Sequence, residues 1–164
     1  MSDLNLTKEQ RLILANQYRI LSILQDREIY GKISNALIRG HRWIYEHAIE
    51  IYDEFSVLDS KHVLDILEMY RNLNDSYNVL KDKSGIDEHD IKFCGFDCLN
   101  ESKHADFVSA LYENEYFSDV LSGECLSAKT PLRAKYDKML SNWESIGKSK
   151  TPLSKDDILK IISN

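Results

Sequence analysis

From Val63 to Leu80 the residues Val63, Leu67, Tyr70, Leu73, Tyr77 and Leu80 follow one another at steps of four, three, three, four and three. A helix closes a turn every 3.6 residues, so this spacing keeps one apolar stripe aligned over about five turns. A strand, alternating every second residue, would scatter the same side chains over both faces. The spacing predicts a helix that opens near Asp59 or Ser60 and runs to about Lys81. A stripe of that length suits the central helix of a bundle or a contact between subunits. The flanking Ile66, Met69 and Val79 widen it and favour self-association through this helix. Two prolines and six glycines in 164 residues leave few natural breaks, which helices tolerate best.

The remaining segments repeat the helical pattern. Thr7 and Gln10 stand at capping-box spacing before Leu14, Tyr18 and Leu21. Ile13, Ile20 and Leu24 carry further apolar bulk on the same segment, so contact on more than one side is expected. A second helix runs from about Arg27 to Arg39, with Ile29, Ile33 and Leu37 on one face, and Gly40 is its natural stop. Ile44, Ala48, Ile51 and Phe55 then predict an amphipathic helix through Phe55, with Glu46, Glu50, Asp53 and Glu54 opposite. The pattern breaks between Asp82 and Asn100, where "IKFCGFD" suits a short extended piece before Gly95. A helix with Val108, Leu111 and Tyr112 follows. Thr130 and Pro131 supply a cap and a first helical residue for the next, which Gly147 ends. Ser154 and Asp157 cap the last helix, with Leu153 stapled to Ile158. About seven helices and no repeat predict an all-α fold, a single bundle-like domain spanning residues 1–164.

Several function classes are disfavoured. Twenty-one basic against 27 acidic residues give a net charge of -6, which works against broad nucleic-acid binding. No signal-peptide pattern opens the chain and no apolar run reaches the roughly 20 residues of a spanning helix, so no membrane is expected. The three cysteines, Cys94, Cys98 and Cys125, are odd in number and suit reduced thiols in a cytoplasm. Phosphate loops, nucleophile elbows and zinc-protease motifs are missing, so no catalytic residues, no metal and no cofactor are assigned.

Two stretches could hold a ligand. Phe96 and Asp97 lie in the "KFCGFDCLNESKH" segment, where Asp97 either caps the following helix or presents a carboxylate, the cap being the simpler role. Cys94-x3-Cys98 falls within zinc-ligand spacing, yet no second pair completes a tetrahedron. Glu101-x-x-His104 has the internal spacing of a di-iron motif but occurs once, where such a site needs two. Arg39, His41 and Arg42 surround Trp43 and could grip a phosphate or stack a base. The simpler alternative is a corner between helices with Trp43 facing inward. Nine tyrosines suit half-buried rims and interfaces.

Together "QRLILANQYRIL" (10–21), "ILEMYRNL" (66–73), "FCGFD" (93–97) and "KTPLRAKYDKML" (129–140) leading into Trp143 resemble the YfbU family of bacterial proteins. In that family's middle motif the matching positions are Phe93, Gly95, Phe96 and Asp97, without Cys94 and Cys98. The resemblance implies a helical, cytoplasmic, oligomeric protein and brings no activity with it. The expected function is that of a homo-oligomeric interaction or regulatory protein. The alternative is a small-ligand-binding protein or enzyme with a pocket near Phe93–Asp97.

The incomplete ligand set predicts that purified protein carries no stoichiometric zinc or iron. Elemental analysis finding about one metal per chain, lost in Cys94→Ala, would reverse that reading.

Overall fold

The computed structural model describes residues 4–49, 54–123, 126–148 and 151–163. Among them seven helices account for nearly all regular structure, and the chain is all-α apart from one pair of two-residue strands. The chain gathers into two compact units, Met1–Glu54 and Phe55–Asn164.

The first unit contains α1 (Lys8–Leu24), α2 (Glu28–Arg39) and α3 (Arg42–Ala48). Thr7 and Gln10 form the expected capping box, each side chain accepting the other's backbone N–H. Helices α1 and α2 pack on one another through small residues, with Ala15 and Ala36 buried. Ser34 Oγ donates to the Ala15 carbonyl at 2.8 Å, a backbone approach that only short side chains permit. Gly40 ends α2 at φ +72°, and a Cβ there would lie 2.5 Å from the Arg11 guanidinium, which donates to the Leu37 carbonyl.

Two expectations fail in this unit. The third helix ends at Ala48, and its buried residue is Tyr45 rather than Ile44 or Ala48. Phe55 packs on the other unit's core, beside Phe107 and His104, while Ile44 and Ala48 are exposed, so the expected stripe does not form one buried face. Glu50, Ile51, Tyr52 and Asp53 lie outside the described residues. Trp43 is 71% exposed instead of facing inward, its ring stacked 4.2 Å from that of His47. It stands about 200° around the helix from Tyr45, so only one of the two can face the core.

The second unit is built on α4 (Val57–Val79), which packs against α5 (Ser102–Glu113), α6 (Arg133–Ser145) and α7 (Lys155–Ile162). Helix α4 starts earlier than expected because Ser56 caps it, its hydroxyl accepting the Asp59 N–H at 3.0 Å. Val63, Leu67, Tyr70, Leu73 and Tyr77 are all buried. So are Ile66 and Met69, at 0% exposure, which corrects the expectation that they leave apolar surface for a subunit contact; Val79, the third flanking residue, is 66% exposed as expected. The stripe is the unit's own core.

Around α4 the rings of Tyr70, Phe93, Phe96 and Tyr136 meet edge-on or tilted at centroid distances of 5.4–5.7 Å. Phe93 and Phe96 come from the glycine-containing segment, whose extended piece lies after Gly95 rather than before it. Strand β1 (Phe96–Asp97) pairs in parallel with β2 (Ser127–Ala128). Gly95 has φ +79°, and a Cβ there would fall 2.4 Å from the Leu126 carbonyl carbon. Its own carbonyl accepts the Tyr136 hydroxyl at 2.8 Å. At the C-terminal end, Ser154 and Asp157 form the expected capping box, with Leu153 and Ile158 buried beside it.

Gly85 also has φ +79° but nothing lies within 4 Å of the Cβ it would carry, which separates strain from crowding. Gly85→Ala is expected to cost about 1–2 kcal/mol, the left-handed penalty alone. Gly95→Ala should cost about 3 kcal/mol or more, since the Leu126 backbone would have to move as well. Denaturant midpoints of the two variants check this, and equal losses would remove the close approach from the account.

Candidate functional site

The start of α6 is held by a residue 31 positions earlier. Thr130 and Pro131 do not cap it; its cap position is Leu132, whose side chain makes no capping bond. Glu101 does the work instead. One carboxylate oxygen accepts the Arg133 N–H at 2.7 Å, and the other accepts those of Leu132 at 3.2 Å and Asp97 at 3.0 Å. The Glu101 N–H returns a bond to the Asp97 carbonyl at 2.8 Å. First-turn N–H groups have no partner within their own helix, and a carboxylate suits the positive end of the helix dipole.

Asp97 is not the cap of α5; that position is Glu101, which makes no side-chain cap bond to its own helix. The Asp97 carboxylate accepts from the Leu99 N–H at 2.8 Å and from Asn100 Nδ2 at 2.7 Å. The Asn100 bond and then the Leu99 N–H hold its pKa below the usual aspartate range. Phe96 is fully buried, against Phe93, Tyr136 and His104. Cys98 Sγ reaches Ser127 Oγ at 3.0 Å, and Cys94 Sγ lies 3.9 Å from His89 Nδ1. Cys125 lies outside the described residues.

Beside Glu101 the first turns of α4, α5 and α6 gather more titratable groups than the sequence led one to expect. His104 is buried, its ring between Phe55 and Phe96, and its Nε2 has no hydrogen-bond partner among the described residues. The Asp59 carboxylate lies 3.9 Å from that nitrogen and 3.8 Å from Arg133 Nη2. Across α4, His62 Nε2 approaches Asp137 Oδ1 at 2.8 Å at an angle that makes no N–H···O bond. The Ser56 hydroxyl is the main reason that the Asp59 pKa falls below its ordinary value. Burial lowers that of His104, with the Arg133 charge adding to the effect and Asp59 opposing it. Among the described residues no three His, Cys, Asp or Glu side chains converge as metal ligands.

The other expected patch lies in the first unit. Arg39 ends α2, His41 precedes α3 and Arg42 opens it, all three exposed. Arg42 Nε pairs with Glu46 at 2.7 Å, one turn along the same helix.

More apolar surface lies on α1. Its inner face carries Ala15, Leu14 and Tyr18 into the unit's core. At 100° per residue, Ile13, Ile20 and Leu24 share the opposite face, with Leu12 and Ile23 beside them. These five side chains are 55–75% exposed. Between them stand Asn16 and Gln17, exposed and uncharged. The extra bulk on α1 was legible in the sequence; which side α2 covers was not.

No described helix is long and apolar enough to cross a membrane. The model of the YfbU domain matches residues 4–164. The chain is also similar to a protein named UPF0304 protein from Actinobacillus succinogenes. The two are 34% identical over 147 aligned residues, covering 87% of this chain and 89% of the relative.

The lowered His104 pKa fixes a direction for pH dependence. An unfolded histidine takes up a proton near pH 6.5, while the folded His104 resists it to lower pH. Its contribution is complete above about pH 6.5 and is lost as pH falls through the folded value. Asp59, with its lowered pKa, acts only in more acidic solution, below about pH 4. Urea midpoints should therefore fall between pH 7.5 and pH 5, and His104→Gln should flatten that slope. An unchanged slope in the variant would assign the dependence to other groups.

Proposed function

The chain belongs to the YfbU family, and from that premise we propose that it is a cytoplasmic, homo-oligomeric interaction or regulatory protein. The outer face of α1 is the observation that carries this reading. A helix that is apolar on two sides is normally covered on both. Here one side packs on α2 and the core of the first unit, and the other presents Leu12, Ile13, Ile20, Ile23 and Leu24.

The magnitudes favour reversible association. Burying a whole leucine or isoleucine side chain is worth about 2 kcal/mol, so five that are roughly two-thirds exposed leave on the order of 6 kcal/mol unmade. Two such faces together offer about 12 kcal/mol, against association costs of about 4–15 kcal/mol. The balance fits an assembly whose population depends on concentration, such as a regulatory protein can use. Helix α4 offers less, since its stripe fills the second unit's core and only Val57, Leu58 and Val79 at its two ends stay exposed among its large apolar residues. The ligand-pocket alternative gains no support at Phe96 and Asp97, one sealed in the core and the other bonded to its own turn.

Sedimentation at tens of micromolar is expected to give a mass well above the 19.1 kDa of one chain. Dilution should shift it downward. A single-chain mass at every concentration would overturn the proposal.

A further inference from the structure

We infer that His104 and Arg133 compete for one oxygen of Asp59, so that α4 is tied to α6 while His104 is neutral and to α5 once His104 carries a proton. The exchange lies wholly within the second unit and does not depend on the self-association proposed above.

The geometry sets up the competition. Asp59 Oδ2 accepts the Ser56 hydroxyl at 2.6 Å, which pins the carboxylate and leaves Oδ1 facing two other groups. That one oxygen lies 3.9 Å from His104 Nε2 and 3.8 Å from Arg133 Nη2. A shift of about 1 Å brings either nitrogen to hydrogen-bonding distance. His104 Nε2 is buried and has no partner among the described residues, so a proton placed there needs an acceptor. The other groups around the ring do not supply one. Glu101, at the start of α5, has both oxygens engaged by the N–H groups of Asp97, Leu132 and Arg133. On α4, His62 faces Asp137 of α6 at 2.8 Å. Phe55 and Phe96 wall the ring without charge.

While His104 is neutral, the Arg133 cation is the partner of Asp59. A second cation on the same oxygen repels the first in a corner poorly screened by water. Mobility decides which one yields. The His104 ring is held between two aromatic rings, whereas the Arg133 side chain is 47% exposed and can carry its charge into solvent. Imidazolium therefore stays and guanidinium leaves. Burial, with the Arg133 charge adding to it, keeps the His104 pKa below its usual value. The exchange thus falls on the acid side of about pH 6.5.

NMR of isotope-labelled full-length protein between pH 7.5 and pH 5 reads all three partners. Protonation of the His104 ring should move the Asp59 carboxyl carbon and speed exchange of the Arg133 Nε proton with water, at one common midpoint. Arg133→Gln removes the competitor and should raise the proton affinity of His104 about threefold or more. Arg133→Lys keeps the charge and should leave it near the wild-type value, while Asp59→Asn should lower it. A His104 midpoint unmoved by Arg133→Gln, or a titration that Asp59 and Arg133 do not follow, would overturn the inference. So would loss of every folded amide signal in the same step, which marks global unfolding instead of an exchange of partners. The readout is the same in single chains and in assemblies, so its failure leaves the proposed function standing, and a chain that is always single does not remove the exchange.

Discussion

The Glu101 carboxylate joins segments that the sequence keeps far apart. It takes N–H groups from Asp97, at the end of β1, and from Leu132 and Arg133, at the start of α6. Bonds to a charged acceptor are worth about 1.5–3 kcal/mol each; here the Asp97 bond is buried and those of Leu132 and Arg133 are partly buried. Without this carboxylate α6 would begin with unpaired N–H groups, and the turn after β1 would lose its anchor. Phe96 enters the aromatic core from that turn, and Tyr136 enters it from α6. The position of two core aromatics thus depends on one buried acid.

The same corner explains why His104 stays neutral. Its ring fills space between Phe55 and Phe96, and Arg133 lies across the Asp59 carboxylate from it. Burial and a nearby cation both disfavour a second proton, outweighing the attraction of Asp59 and Glu101. Glutamate and histidine three residues apart, a spacing shared with di-iron ligands, serve here as a helix clasp and a core filler.

The two units use their apolar residues differently. In the second, α4 is covered by three helices and even its flanking Ile66 and Met69 are sealed. In the first, Ala15, Ile33, Leu37 and Tyr45 form the buried cluster among the described residues, and α1 keeps five large side chains outside.

Local chemistry was legible without the structure. The capping boxes at Thr7 and Ser154, the left-handed stop at Gly40 and the stripe on α4 each depend on residues within a few turns of one another. Backbone sterics and helical periodicity fix such features wherever the segment sits. Longer-range choices were not legible. Thr130 looked like the cap of α6, but Glu101 fills that place from 31 residues away; Phe55 continued the periodicity of α3, yet it packs in another core. Trp43 looked like a core residue until Tyr45 occupied the inward side. The sequence by itself determined which segments are helices and which residues are apolar enough to need cover. Only the tertiary structure decided which of those residues cover one another, because that depends on packing between distant segments, which no local spacing encodes.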